Sequence, residues 1–281
     1  IANNSGGSAG GLSNYAPNAT VTKCQFLGNT GTEAGGIRNY GSAMTLTNST
    51  IANNTGGAAG GIYQTSSITI SGCMIANNTA TATNNTGGGM FVFGSAIALT
   101  NCTISGNTAN NTTNNHFGGG GIHARNGGRI TNCTITNNQV TGTSNGGGYY
   151  SPGSQVAFRN TIIAGNSGTS GATPDLAGNY SSNGYNLIGD GTGGNGVAST
   201  GDQIGTAASP INALLSALGN NGGTTMTHAL LPGSPAINAG DNCVLTNSCA
   251  SNNIGSNLTT DQRGGFYSSE DADSEGEEGK F

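Results

Sequence analysis

The segment NCTISGN at 101–107 returns as NCTITNN at 132–138. A chain that rewrites one pattern at a regular interval is built of stacked repeats, and this restricts its fold more than any composition figure. The pattern extends well beyond these two copies. Ile1, Phe26, Ile51, Ile75, Ile104, Ile135 and Ile163 form one column, with spacings of 24 to 31 residues. Three positions later stand Asn4, Asn29, Asn54, Asn78, Asn107, Asn138 and Asn166. Two positions before the isoleucine column stand Cys24, Ser49, Cys73, Cys102, Cys133 and Thr161, and three further back Val21, Leu46, Ile70, Leu99, Ile130 and Phe158. A glycine pair precedes a further apolar column of Leu12, Ile37, Ile62, Met90, Ile122 and Tyr149.

Around each column apolar and polar residues alternate, as in TLTNSTI and SITISGCMI, which is strand patterning. Short strands with sharp turns, repeating at this interval, predict an all-β right-handed parallel β-helix of about 25–31 residues per coil and about seven turns. Equivalent residues then stack about 4.8 Å apart along the axis. One coil alone cannot offset its own chain entropy, so coils cover one another. The isoleucine, valine and leucine columns point inward. Asn29, Asn54, Asn78, Asn107, Asn138 and Asn166 are expected to form a structural ladder at a corner, where asparagine tolerates the left-handed conformation and bonds its amide to the next coil. The glycine pairs mark a corner with no room for a Cβ. Insertions such as TATATNNT, TANNTTNNHF and QVTGTSN fall between the asparagine and the glycine pair, on one edge.

Composition agrees with this and removes several functions. Of 281 residues, 52 are glycine and 7% are charged, and no window gathers good helix formers. No stretch approaches 18 apolar residues, so no membrane-spanning helix is expected. Residues 1–266 hold six acids and six bases, and the net charge of −5 comes from the tail YSSEDADSEGEEGKF. Without a basic stripe, nucleic acid is not an expected partner. No leader opens the chain, so a signal peptide has been removed or the sequence is a fragment.

Beyond Asp175 the register blurs. NGYNLIGDG at 183–191 still reads as a coil, and SPINALLSALGNNGG has room for one helical turn. NNGG, THALLPGSPAINAG at 227–240 and TDQRG at 260–264 follow in order. Residues 183–266 thus resemble the C-terminal region of bacterial surface β-helix proteins of the choice-of-anchor Q type, and the coils before them resemble the right-handed β-helix repeats of the same proteins. The resemblance implies an exported, extracellular or cell-surface protein without known catalysis. Three regions result: coils at 1–174, last coils and the choice-of-anchor Q-like region at 175–266, and an acidic tail at 267–281 that departs from that family's continuation.

Carboxylates decide whether to expect an enzyme. Polysaccharide cleavage on a β-helix needs clustered acids. Residues 1–174 contain only Glu33, and Asp175, Asp190, Asp202, Asp241 and Asp261 are isolated in sequence. No catalytic residue, cofactor or metal site is expected, since neither zinc spacing nor a repeated calcium aspartate occurs. His228, Ser234 and Asp241 do not sit on a nucleophile elbow, and His228 is expected to bond within the last coil. Asp261 and Arg263 are expected to pair or bond to backbone at the same end. Cys73, Cys102 and Cys133 read as stacked buried thiols, with a disulfide between coils as the alternative. Cys243 and Cys249 close a short loop and are expected to form a disulfide in an exported protein.

One outward column is less bland. Tyr63, Phe91, His123 and Tyr150, following Ser13 and Arg38, make an apolar strip suited to sugars or a protein chain, unless insertion loops cover it. Outward threonines are too irregular for an ice-binding face, and the many Asn-X-Ser/Thr sequons allow glycosylation. Residue 1 opens mid-coil without a cap, which exposes strand edges and invites end-to-end association. The leading expectation is a non-catalytic extracellular fibre subunit. The alternatives are an adhesin that holds glycans on the strip and, less favoured, a polysaccharide lyase or hydrolase.

Overall fold

The computed structural model of the chain describes residues 1–83, 86–111, 118–142, 146–168, 175–249 and 256–265. The acidic tail and Asn84 lie outside them. Every strand pair in the coils is parallel, and the strands stack as a β-solenoid. Three faces form its cross-section: a 13-stranded sheet of two adjoining halves, an 8-stranded sheet, and a 6-stranded sheet of very short strands. Register follows the repeat. Phe26 pairs with Ile51, then Ile75, Ile104, Ile135, Ile163 and Ile188, giving six complete turns. Bridges at Ala2–Leu27 and Ile188–Ile204 continue the file at its two ends.

The inward columns fill the interior. Ile51, Ile75, Ile104, Ile135 and Ile163 are fully buried, as are Leu46, Ile70, Leu99, Ile130 and Phe158 in the neighbouring column. Each such side chain contributes about 1.5–3 kcal/mol relative to exposure. A further inward file, Met44–Ile68–Ile97, also belongs to this core. Towards the C-terminal coils the aliphatics give way to rings, with Tyr149 edge-on to Phe158 at 5.0 Å.

The corners show why the repeat is written as it is. A Cβ on Gly61 would lie 2.5 Å from the Gly89 carbonyl oxygen one coil on, so the glycine pairs permit two coils to approach backbone to backbone. The left-handed turn falls one residue before the ladder asparagines, at Asn3, Gly28, Asn53, Asn77, Gly106, Asn137 and Gly165. This corrects the expectation that the ladder residues themselves adopt it. In an Asn-Asn doublet the first residue turns the chain and the second bonds along the axis. A second left-handed file, Lys23, Asn48, Gly72, Asn101, Asn132 and Asn160, turns the chain ahead of the cysteine column.

The segment 209–223 had room for one helical turn but makes none. It forms an antiparallel hairpin with 227–230, through bridges Leu215–Leu230 and Gly219–Thr227. The described residues hold one short helix, Cys243–Thr246. No helix among them is long and apolar enough to cross a membrane.

Candidate functional site

The Asn ladder runs unbroken along the axis. Asn29 Nδ2 donates to Asn54 Oδ1 at 3.0 Å, Asn54 to Asn78 at 2.9 Å, Asn78 to Asn107 at 2.9 Å, Asn107 to Asn138 at 2.8 Å and Asn138 to Asn166 at 2.9 Å. The backbone N–H of each residue donates to the same oxygen of the next, for example Asn78 N to Asn107 Oδ1 at 3.0 Å. The second amide proton returns to the isoleucine column, as in Asn107 Nδ2 to the Ile75 carbonyl at 2.9 Å. Buried amides are tolerated because each donor and each acceptor is used.

Both polar files end on a carboxylate. Asn166 donates its backbone and side-chain N–H to Asp175 Oδ1, each at 2.9 Å, while Asp175 Oδ2 accepts the Asp190 N–H at 2.7 Å. Burial raises the Asp175 pKa. The cysteine column ends likewise. Thr161 N donates to Asn186 Oδ1, and Asn186 donates twice to Asp202 Oδ1. Register would have revealed the second cap, because Leu187 pairs with Gln203 and so aligns Asn186 with Asp202.

Within the cysteine column the thiols substitute for hydroxyls. Ser49 N donates to Cys73 Sγ and Cys102 N to Cys133 Sγ, and each sulfur donates to the carbonyl two residues back. Cys24, Cys73, Cys102 and Cys133 are free thiols. Cys243 and Cys249 form a disulfide. The corner also accounts for many sequons. Asn53-Asn54-Thr55 and Asn77-Asn78-Thr79 are a turn residue, a ladder residue and the first residue of the next strand.

The outward aromatic column forms a continuous file, with Tyr63–Phe91 centroids at 5.5 Å, Phe91–His123 stacked at 4.6 Å and His123–Tyr150 at 5.1 Å. It is not the exposed strip that alternation suggested. Phe91 and Tyr150 are 4% exposed and His123 is 0%. Phe91 and His123 cover one another's faces, Tyr63 and Tyr150 meet them edge-on, and the Arg125 guanidinium and Phe93 ring lie against Phe91. Burial, with the Arg125 charge, pushes the His123 pKa down to about 3. Exposure is kept at the margins, by Tyr15 at 66%, Tyr40 at 42% and Phe93 at 46%, with Tyr63 partly open. Arg38 lies over the Tyr40 ring at 3.6 Å and pairs with Glu33 at 2.7 Å.

The C-terminal segment does not stay at the last coil. It folds back over the outer face of the 8-stranded sheet. Ala213 and Ala236 pack on Ile162, Ala164 and Leu187, and Leu218 reaches Ala52, Met74 and Ala76. Gln262 joins the strap to two coils, accepting from Thr103 Oγ1 at 3.0 Å and donating to Thr134 Oγ1 at 3.2 Å. His228 Nδ1 donates to the Ser216 carbonyl at 2.7 Å, and Nε2 accepts from Ser105 Oγ at 2.9 Å. His228 therefore bonds to a middle coil rather than within the last one. Ser234 Oγ donates to the Ala213 carbonyl, and Asp241 pairs with Arg159 at 2.5 Å. The three residues have separate partners and form no triad. Asp261 pairs with Arg263 at 2.8 Å, over the middle coils. Contacts between residues more than 100 positions apart leave no periodic trace, which hid the strap from sequence reasoning.

Comparison with known proteins yields no match to a family model, a curated protein or a solved structure.

Proposed function

We propose that this chain is an exported, non-catalytic structural protein that serves as a rod-like subunit of a cell-surface or extracellular fibre. The observation that carries this reading is the use made of the aspartates. Asp175 and Asp202 terminate polar files, Asp190 accepts from Thr192, Asp241 pairs with Arg159, and Asp261 pairs with Arg263. Acids committed to holding coils and strap together are unsuited to acid–base work. The resemblance of 183–266 to choice-of-anchor Q regions supports export to a surface, and the parallel stacking of coils along one axis supports a rod-like subunit. Electron microscopy of the purified chain over a range of concentrations tests the proposal. Filaments that lengthen with concentration are expected, and single particles at every concentration refute it.

A second reading is an adhesin that retains glycans. It draws on Tyr15, Tyr40 and Phe93, which are exposed, rather than on Phe91, His123 and Tyr150. Replacing Tyr15 and Tyr40 with alanine separates the two: lost retention with intact assembly favours the adhesin, and lost assembly favours the fibre.

A further inference from the structure

A cavity of about 520 Å³ opens where the returning strap crosses the second half of the large sheet. Its floor includes Thr69, Ser71, Thr100 and Arg129, and Leu258 and Gln262 stand on the strap side. Register explains the floor. Thr69, Ala98 and Arg129 occupy one outward file on successive coils, and Ser71 and Thr100 the file beside it.

Arg129 is the unusual member. Arg38, Arg159 and Arg263 are ion-paired with Glu33, Asp241 and Asp261, and Arg125 lies over Phe91 and Phe93. Arg129 lines the cavity, and among the described residues it has neither an ion pair nor a hydrogen bond. Its neighbours in the file, Ala98 on one coil and Ala157 on the next, offer it nothing to bond. Asp261 also borders the cavity but is taken up by Arg263 and by the Gly265 N–H at 3.0 Å. A guanidinium with no ion partner keeps its charge available to an anionic group that enters the cavity.

The surroundings select the ligand. The planar guanidinium takes a carboxylate through two parallel hydrogen bonds. Threonine and serine hydroxyls around it bond to neutral hydroxyl groups, and the volume suits a small molecule of a few rings. Coils rise about 4.8 Å each, close to the length of one sugar unit, so successive rungs meet successive rings. The combination of one cation with a hydroxyl-lined floor fits an acidic sugar better than a nucleotide, which would need several cations for its phosphates.

We propose that this cavity binds a uronic-acid-bearing oligosaccharide, with its carboxylate on Arg129 and its hydroxyls on Thr69, Ser71 and Thr100. The proposal is independent of the fibre reading, because the site lies on the flank of the rod. Isothermal titration of the full chain with trigalacturonate, with the neutral galactose trisaccharide and with inorganic phosphate tests it. Trigalacturonate binds, the neutral trisaccharide binds at least about tenfold more weakly, and Arg129→Gln loses about tenfold or more for the acid alone, as expected for a charged hydrogen-bonded pair. Thr100→Val weakens both sugars by a few fold and leaves the charge preference intact. Circular dichroism and thermal midpoints of both variants match the parent. No binding by the full chain, equal binding of acidic and neutral sugars, phosphate binding as tight as trigalacturonate, or an unaffected Arg129→Gln variant overturns the assignment.

Discussion

Replacing Asn107 with alanine removes one rung from the middle of the ladder. Four hydrogen bonds go with it: two accepted by Oδ1 from Asn78, and two donated by Nδ2 to the Ile75 carbonyl and to Asn138 Oδ1. Asn138 Oδ1 keeps the backbone donor of residue 107, so it stays satisfied. The Asn78 N–H and one Asn78 amide proton are left without partners at a fully buried site, while the Ile75 carbonyl keeps its place in the strand ladder. At about 1–3 kcal/mol for each orphaned buried group, the cost is about 2–6 kcal/mol. That is a large part of the whole stability of an ordinary domain, about 5–15 kcal/mol. Urea unfolding followed by far-UV circular dichroism measures it, with Thr69→Ala on the exposed outer face as the reference. A large fall in midpoint for Asn107→Ala, with Thr69→Ala near the parent, is expected. A loss below about 1 kcal/mol, the value of an ordinary exposed polar contact, refutes the reasoning.

Three further outcomes follow from the same geometry. Gly61→Ala forces a Cβ to within 2.5 Å of a neighbouring backbone oxygen, so it destabilises by about 1–3 kcal/mol or more in the same denaturation assay. In a thiol titration of the native chain Cys24 reacts, whereas Cys73, Cys102 and Cys133 stay protected until unfolding, since all three are buried. His123 and His228 both have pKa values lowered by burial, so the unfolded chain binds protons that the native one refuses, and stability falls as pH drops below about 6.5, by up to about 1.4 kcal/mol per pH unit for each histidine. For His123 this continues towards about 3, while the raised Asp175 pKa acts in the opposite direction. Thermal midpoints between pH 7 and pH 4 should therefore decline less steeply for His123→Phe than for the parent.

The solenoid was legible because its columns repeat. A residue that meets its own copy one coil away advertises its environment at every turn, which is why Ile51, Ile75 and Ile104 were read as core and Asn54, Asn78 and Asn107 as one file. Asn-Asn doublets hid which member turns and which bonds, since the letters are the same while the backbone conformations differ. Alternation assigned Phe91, His123 and Tyr150 to the outside of the sheet, and they are there. Alternation says nothing of what covers the outside, so exposure and burial of the strip stayed open alternatives until the structure showed them buried. The strap was beyond reach for another reason. His228 meets Ser105 and Gln262 meets Thr103 once each, so no repetition marks either contact. Arg129 was passed over because its distinguishing property, the lack of a partner, exists only after every other arginine has been placed.

The central claim is that equivalent side chains stack directly upon one another along a single axis. Asparagine-selective ¹⁵N labelling with side-chain amide NOE spectroscopy examines it most directly. Cross-peaks linking Asn54 to Asn78, Asn78 to Asn107 and Asn107 to Asn138 in one chain of neighbours are predicted, with amide protons protected from exchange. Rapid exchange at these amides, or NOEs that join each asparagine only to residues of its own coil, would contradict the account.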